Sequence, residues 1–588
     1  MNASELKAPK LNARQRIPPW RLLLCTALLV TAGACLRSVV FEFAYDDLNQ
    51  IVYNPGIQSW RLALEYFRTH VWAQTGGMAI YYRPIYMLWL AANHALFGEA
   101  PAYWHAGAVG LHLLCCLLLY FFSVRLTGDR WTAAVAVLLF GLHPAHVEAV
   151  AWVSGATESL VAALLFGALL GYWKFRESGH PAKHRWLALS LILATAAVFA
   201  KETAIVLPAL IFSYEWIFCA KPRKQRAWDA ARAAAPYALI STGYLAARWL
   251  ALKRVMPPRT TEPIAAVLLA WPKVVIFYVS HLLFPHGMSV FYDPIRVTTA
   301  GFRNFVLPGL ALAAGAALFY YGTRRSRVYA FLAAWCAVLL VPLLQVTLSY
   351  NVENVHDRYL YLPSAAYCIF VASLLSRLKE MHRGKTAVAI LVVLSAAYAM
   401  LIREESQYWV NDSTLAQRGL EISPKHALAA QVMGNALARE GRAAEALPYL
   451  LDSLEGRPED ANTLTSLSVC YSEMGALPLA EEFARKAMGS DPSAPRPHLL
   501  LGIIRSNEGR LDEAEGEIRR AIQIQRLPES AMLLHYYLGD VLYRKGDLPG
   551  AVREFQLEAQ YAPAIDPAAL AAKARMEQIQ RQSSATAH

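Results

Sequence analysis

The sequence predicts an all-α protein in two unlike parts, a polytopic membrane helix bundle followed by a soluble helical solenoid, and three observations carry that reading. Hydrophobic residues make up 56% of the 588 residues and charged residues 17%, more apolar side chain than a water-soluble core of this size needs. The excess is confined to residues 22–402, where apolar blocks alternate with short basic clusters. From residue 403 onward the composition is that of an ordinary soluble helical protein, and it carries a repeat.

Residues 1–21 read as a basic cytoplasmic N-terminus ahead of the apolar run 22–40. The stretch TAGAC resembles a lipoprotein box ending at Cys35, but a long charged leader and many later spans favour an uncleaved first helix. Further segments near the ~20 residues a bilayer requires lie near 104–126, 130–147, 157–175, 185–200, 203–220, 231–250, 303–321, 327–348, 359–376 and 386–402. That makes about eleven spans in all. GDR at 128–130, KFRESGHPAKHR at 174–185, KPRKQR at 221–226, GTRRSR at 322–327 and SRLKEMHRGK at 376–385 then fall on one side. This is the pattern left by loops that resist translocation. It requires 82–97 and 264–284 not to cross, and the Pro and polar residues in and around both suit interfacial or re-entrant helices.

The outer face then collects 41–103 as a first external loop, the short loop 143–156, Lys201 and Glu202, 251–302, 349–358 and the whole C-terminal half. The net charge of +12 resides in loop clusters and forms no stripe with interleaved aromatics, which argues against nucleic acid as a partner. Cys25, Cys35, Cys115, Cys116, Cys219, Cys336 and Cys368 lie in apolar segments, and Cys470 stands apart in the soluble half. That distribution excludes a disulfide framework or a Cys-rich zinc site.

Residues 403–425 read as a linker and partial repeat, 426–566 as repeats and 567–588 as a tail. Gly441, Gly475 and Gly509 are 34 residues apart, as are Ala446, Ala480 and Ala514, and Pro458 lies 34 before Pro492. After an insertion near 526–530 the frame resumes with Gly539, Gly546, Ala551, Phe555 and Pro563. This is the tetratricopeptide pattern, with small residues where two helices touch. Pro424 stands one period before Pro458, so four full units follow a leading half that begins near Trp409. Stacked helix pairs make a concave face that binds extended peptides or partner surfaces; a rigid spacer is the plainer alternative.

Chemistry points to the outer face. Asp46 and Asp47 sit just beyond the first span, and adjacent carboxylates at a membrane boundary are costly to desolvate unless they meet a cation, metal or substrate. A solvated loop start with a helix cap would also use them. Arg83, Lys201 and Arg358 each suit a phosphate, Arg as a planar fork and Lys as a point charge, whereas any one alone also reads as a snorkelling side chain. Glu202 and the run His143, His146 and Glu148 line the same face. Imidazole and carboxylate suit zinc or a similar divalent ion, but HPAHVE lacks the HExxH spacing, and a helix-end hydrogen-bond network accounts for it too.

Taken in order, AYDDLNQIVYNP, YRPIYMLWL, FGLHPAHVEAVAWVSGATE, AKETAIVLP and HDRYLYLPS, followed by the repeats, resemble the transmembrane and tetratricopeptide repeat-containing O-mannosyltransferases. These are multi-spanning GT-C glycosyltransferases, and the resemblance covers nearly the whole chain. It implies a GT-C-type bundle and transfer of a sugar, mannose or another hexose, from a polyprenyl-phosphate donor to Ser or Thr hydroxyls of exported proteins, with the repeats binding the acceptor. It also implies an acidic base in the first external loop, here Asp46 or Asp47. Ala156 stands where the family pattern has an Arg, and the repeat array is short compared with animal relatives. The chemistry agrees: a phosphate ester leaves readily once cations neutralise it, whereas a hydroxyl acceptor requires a carboxylate to take its proton. The short loops and Ala-rich spans suggest a bacterial inner membrane with the repeats in the periplasm. Two other readings stay open, a non-catalytic scaffold that assembles an envelope complex and a GT-C enzyme acting on a lipid or glycan.

Overall fold

A computed structural model describes residues 18–73, 81–179, 183–253, 264–324, 326–349, 355–525, 533–561 and 567–586. The N-terminus up to residue 17 and the insertion at 526–530 lie outside the described residues. Among the described residues every regular element is a helix, and these elements follow the apolar blocks.

α1 (Pro19–Cys35), α2 (Pro84–Phe97) and α3 (Pro101–Thr127) all begin on Pro, whose missing N–H costs nothing in a first turn. Gly128 closes α3 in the left-handed conformation at φ 73°. Asp129 then caps α4 (Arg130–Gly141) by accepting from the Trp131 and Thr132 amides. α4 is the central post of the bundle: Ala133 through Leu142 are all buried. Gly141 has no side chain because a Cβ there would lie 2.1 Å from Thr31 Oγ1 of α1. The chain then bends by 59° through Pro144–His146 into the short α5 (Val147–Ala151).

The bundle continues as α6 (Thr157–Glu177), α7 (His184–Ala200), α8 (Leu207–Phe218), α9 (Arg223–Leu252), α10 (Ile264–Leu283), α11 (Leu307–Thr323), α12 (Arg327–Ser349), α13 (Tyr361–Glu380) and α14 (Gly384–Ser406). Basic clusters tie the helix ends together on one side: Arg125 pairs with Glu177, Arg176 with Glu215, and Arg327 donates to the Phe218 carbonyl. Lys379 lies over the Trp131 ring, and Arg21 and Arg130 lie over Trp20. The opposite end carries the acids and cations singled out above.

Among the described residues, eight helices are long and apolar enough to cross a membrane, or nine if the bent pair Arg130–Gly141 and Pro144–Ala151 is one span. The chain is thus a multi-pass membrane protein, but the predicted spans differ in three places. The segment 185–200 appears as the 17-residue α7, and 203–220 is divided into a 3₁₀ turn, Glu202–Val206, and the 12-residue α8. The segment 231–250 lies inside a longer α9 whose first turns are rich in Arg. Conversely, α10 runs unbroken through Pro272 and is long enough to span, because neighbouring helices can absorb a proline kink in an apolar setting. Its second half packs Val274 and Tyr278 against Leu343, Val355 and Leu360 at the site end. α2 has only 14 residues, about 21 Å at 1.5 Å per residue.

The solenoid opens with α15 (Asp412–Ile422). Four helix pairs follow: α16 (Ala427–Arg439) with α17 (Ala443–Gly456), α18 (Ala461–Glu473) with α19 (Leu477–Ser490), α20 (Pro495–Asn507) with α21 (Leu511–Ile524), and α22 (Leu534–Lys545) with α23 (Leu548–Tyr561). α24 (Pro567–Thr586) covers the last pair with Ala572 and Ile579. The repeated glycines have a steric cause: Gly441, Gly475, Gly509 and Gly546 turn each pair at φ 73° to 86°, a region closed to most side chains. Ala446, Ala480, Ala514 and Ala551 are fully buried where the helices touch.

Solenoid and bundle share one core. Trp409, Leu415, Ala416, Ala429 and Val432 belong to the same apolar cluster as α4, α6 and α13. A Cβ on Gly419 would lie 2.5 Å from Phe291, so α15 is seated directly on the 251–302 segment.

Candidate active site

After α1 the chain runs through a 3₁₀ turn, Leu36–Val40, into an extended strap whose Phe41 and Ala44 are buried. The Glu42 amide donates to the Val410 carbonyl at 2.9 Å, which fastens the strap to the start of the solenoid. Tyr45 then takes φ 58°, a left-handed conformation rare for a bulky residue. Its amide donates to Asp412 Oδ1 at 2.5 Å, and its ring meets Trp152 at 5.7 Å and Phe291 at 5.5 Å.

This reversal gives the two neighbouring aspartates different surroundings. Asp47 is fully buried, and its Oδ1 accepts from the Ser154 amide at 2.7 Å and the Ser154 hydroxyl at 2.5 Å. Burial pushes its carboxyl up to about 7, opposed by the Ser154 and Ala44 hydrogen bonds. Asp46 is only half-buried and makes no hydrogen bond among the described residues. Burial pushes it up to about 7 as well, with Arg358 and Arg83 pulling down and Asp412 pushing up. One carboxylate therefore fastens the loop to the turn before α6, while the other has no such tie among the described residues.

The cations come from three further elements. Arg83, just before α2, grips Glu202 with a planar fork, Nε to Oε2 at 2.9 Å and Nη2 to Oε1 at 2.5 Å, and lies 4.3 Å over the Tyr81 ring. Burial alone would raise the Glu202 carboxyl, but the Arg83 charge and hydrogen bonds hold it at about 2. Arg358, ahead of α13, gives its amide to Glu148 Oε2 at 2.8 Å and its guanidinium to Oε1, and is stacked over Trp152 and Tyr359. Each arginine side chain keeps 14% of its surface exposed. Lys201 keeps 3% and is paired with Glu158; burial lowers its pKa, and Glu158 offsets part of that. Of the three predicted phosphate-holding groups, Arg83 and Arg358 reach solvent beside Asp46, and Lys201 is a brace behind them.

The HPAHVE run does not converge on one point. His143 Nε2 donates to the Leu282 carbonyl at 3.1 Å, and its Nδ1 accepts from the Ala145 amide at 3.3 Å. His146 meets Ser364 Oγ at 2.7 Å between the rings of Phe140 and Tyr361. Glu148 turns to Arg358 instead. Among the described residues no three His, Cys, Asp or Glu side chains gather as a metal-holding group.

Ser154, Glu158 and Asp412 complete the site without being singled out from the sequence. Ser154 and Glu158 stand four apart, one helical turn, within the SGATE stretch, so the spacing was a usable signal. Asp412 gave none, being 367 residues from the amide it holds. Chemically, the arrangement offers a carboxylate with no hydrogen-bond partner among the described residues, raised to about 7, beside two partly exposed guanidiniums. Such a set takes a proton from one group while countering charge on an anion.

No protein-family model matches the chain. The curated relatives it matches are protein O-mannosyl-transferases, in keeping with the family resemblance. Human TMTC1 is 26% identical over 499 residues, 75% of this chain and 56% of that protein. Mouse TMTC3 is 24% identical over 573 residues, 85% of this chain and 60% of that protein. A shorter stretch of 222 residues is 34% identical to mouse TMTC1. The chain thus spans little more than half the length of human TMTC1. Among solved structures, ArnT from Cupriavidus metallidurans bound to undecaprenyl phosphate aligns over 81% of this chain and 80% of that one, with TM-score 0.36 and 14% identity. A thermophilic TPR protein of Thermus thermophilus aligns over 35% of this chain and 96% of its own, with TM-score 0.26 and 18% identity.

Proposed function

We propose that the chain is an inverting glycosyltransferase that moves mannose or another hexose from a polyprenyl-phosphate donor to Ser or Thr hydroxyls of exported proteins. Asp46 is the base. The observation that carries this reading is the contrast between the two aspartates: Asp47 gives Oδ1 to Ser154 and Oδ2 to the Ala44 amide, whereas Asp46 has no hydrogen-bond partner among the described residues and lies near Arg83 and Arg358. The resemblance to O-mannosyl-transferases supplies the reaction class.

In this reading the Asp46 carboxylate takes the proton from the acceptor hydroxyl. The freed oxygen attacks the anomeric carbon from the face opposite the phosphate, and the sugar–phosphate C–O bond breaks with its electron pair staying on the polyprenyl phosphate. Arg83 and Arg358 counter the charge that develops there, each shifting part of its fork from Glu202 or Glu148 to the phosphate. The donor approaches from the membrane, and the acceptor from the solenoid side. The bundle lies in a bacterial inner membrane with the repeats in the periplasm.

The test is reconstitution. The full chain in nanodiscs is supplied with polyprenyl-phosphate mannose, or the glucose analogue in parallel, and a Ser/Thr-rich peptide. Mass spectrometry should find one hexose on the peptide, with its anomeric configuration inverted relative to the donor. Retention of configuration would sink the single-displacement mechanism. No transfer to peptide, with sugar passing to a lipid or glycan instead, would discard the protein acceptor.

A further inference from the structure

The solenoid reaches into the site through one residue. Asp412 opens α15, and its two carboxylate oxygens take different partners: Oδ1 accepts the Tyr45 amide at 2.5 Å and Oδ2 pairs with Arg439 of α16. Tyr45 is one residue from Asp46 and sits at φ 58°, a conformation that a tyrosine leaves unless something holds it. The hold is substantial. A hydrogen bond to an ionised acceptor is about twice as strong as a neutral one, and this carboxylate is nearly buried, with 9% of its side chain exposed.

We propose that Asp412 is a positioning residue: clamped by Arg439 of the first repeat, it holds the left-handed turn at Tyr45 that presents Asp46 to the acceptor and to the arginines. The inference rests on the reading of Asp46 as the base. It makes the first repeat part of the catalytic unit, so that anything that shifts α16 moves the base. Asp412 also acts at a distance, because its charge raises the Asp46 pKa. The other groups facing Asp46 are Asp47 on its own loop, Tyr81 and Arg83 ahead of α2, Tyr86 in α2 and Arg358 ahead of α13.

The test is the pH–rate profile of the full chain in nanodiscs, using polyprenyl-phosphate mannose and a Ser/Thr-rich peptide. Asp412→Ala releases the Tyr45 amide and should lower kcat roughly 10- to 100-fold with donor KM unchanged. Asp412→Asn keeps an acceptor oxygen but removes a negative charge, so the Asp46 pKa falls and the acid limb of the profile moves to lower pH. Arg439→Gln leaves the Asp412 charge unbalanced and should move the limb to higher pH. A purely structural Asp412 would change the yield of folded protein and leave the limb where it is in wild type. The proposal is overturned if Asp412→Ala keeps wild-type kcat, or if the Asn and Gln variants leave the limb unmoved. Asp46→Asn in the same assay separates the two failures. An inactive Asp46→Asn beside a fully active Asp412→Ala sinks the positioning role alone, whereas an active Asp46→Asn sinks the base and this inference together.

Discussion

Replacing each aspartate of the pair by asparagine should give opposite results, because the two carboxylates are wired differently. Asp46→Asn keeps the shape and removes the proton acceptor. A positioned general base is worth about 10²- to 10⁴-fold, or about 3 to 5 kcal/mol of barrier at 1.36 kcal/mol per factor of ten, so kcat should fall by that much while donor binding persists. Asp47→Asn should stay within about fivefold of wild type, since its amide oxygen can still accept from the Ser154 amide. The wild-type profile fixes the sign. Asp46 titrates near 7 and acts deprotonated, so the rate should rise about tenfold per pH unit below that value and level off above it. The assay is initial-rate transfer to peptide from pH 5 to pH 9, with circular dichroism to confirm folding. An Asp46→Asn enzyme within about fivefold of wild type, or an acid limb that Asp47→Asn abolishes instead, would refute the assignment.

Other perturbations test the scaffold of the site. Burial raises the Asp47 carboxyl to about 7, so this group favours the folded state most at low pH and loses that contribution as pH rises from about 4 to about 7. Thermal unfolding of Asp47→Asn across that window should show a flatter pH dependence than wild type. Arg358→Ala leaves Glu148, only 5% exposed, without its cation, at a cost of about 3 to 5 kcal/mol, and the melting temperature should drop sharply. Gly155→Ala forces a Cβ to within 2.4 Å of the Glu148 carbonyl oxygen, so thermal stability and transfer should both fall. Treatment with EDTA should leave transfer unchanged, because Arg83 and Arg358 supply the counter-charge; loss that Mn²⁺ or Mg²⁺ restores would add a divalent ion to the donor site.

Much of this architecture is written in repeating or segregating residue types, which sequence alone reveals. The 34-residue glycine column is legible because each member must turn a helix pair at positive φ, and the paired alanine column because the helices leave no room for more. Hydropathy locates the long spans but not the breaks. α8 is shortened by a 3₁₀ turn at Glu202–Val206 that hydropathy does not separate from the helix after it, and Pro272 sits inside α10 without ending it. The site was half legible. Asp46, Arg83, Glu202, Glu148 and Arg358 announce themselves as charges at helix ends that converge on one face. Their pairing does not, since Lys201 and Arg358 look alike in sequence and each meets a buried acid, yet Lys201 is sealed in and Arg358 keeps part of its surface exposed. Nor could Asp46 be told from Asp47: the decision falls to the φ of Tyr45, set by a carboxylate in the first repeat.

The central claim, that this chain puts sugar on exported proteins with Asp46 as its base, is tested most directly in cells. Glycoproteomics of exported proteins would be compared between a deletion strain complemented with wild type and one complemented with Asp46→Asn, matched for membrane expression. The account predicts hexose on Ser or Thr that returns with wild type and not with the variant. Equal glycosylation in both would contradict the base, and no glycosylation in either, with a growth or envelope phenotype rescued by both, would point to a scaffold instead of an enzyme.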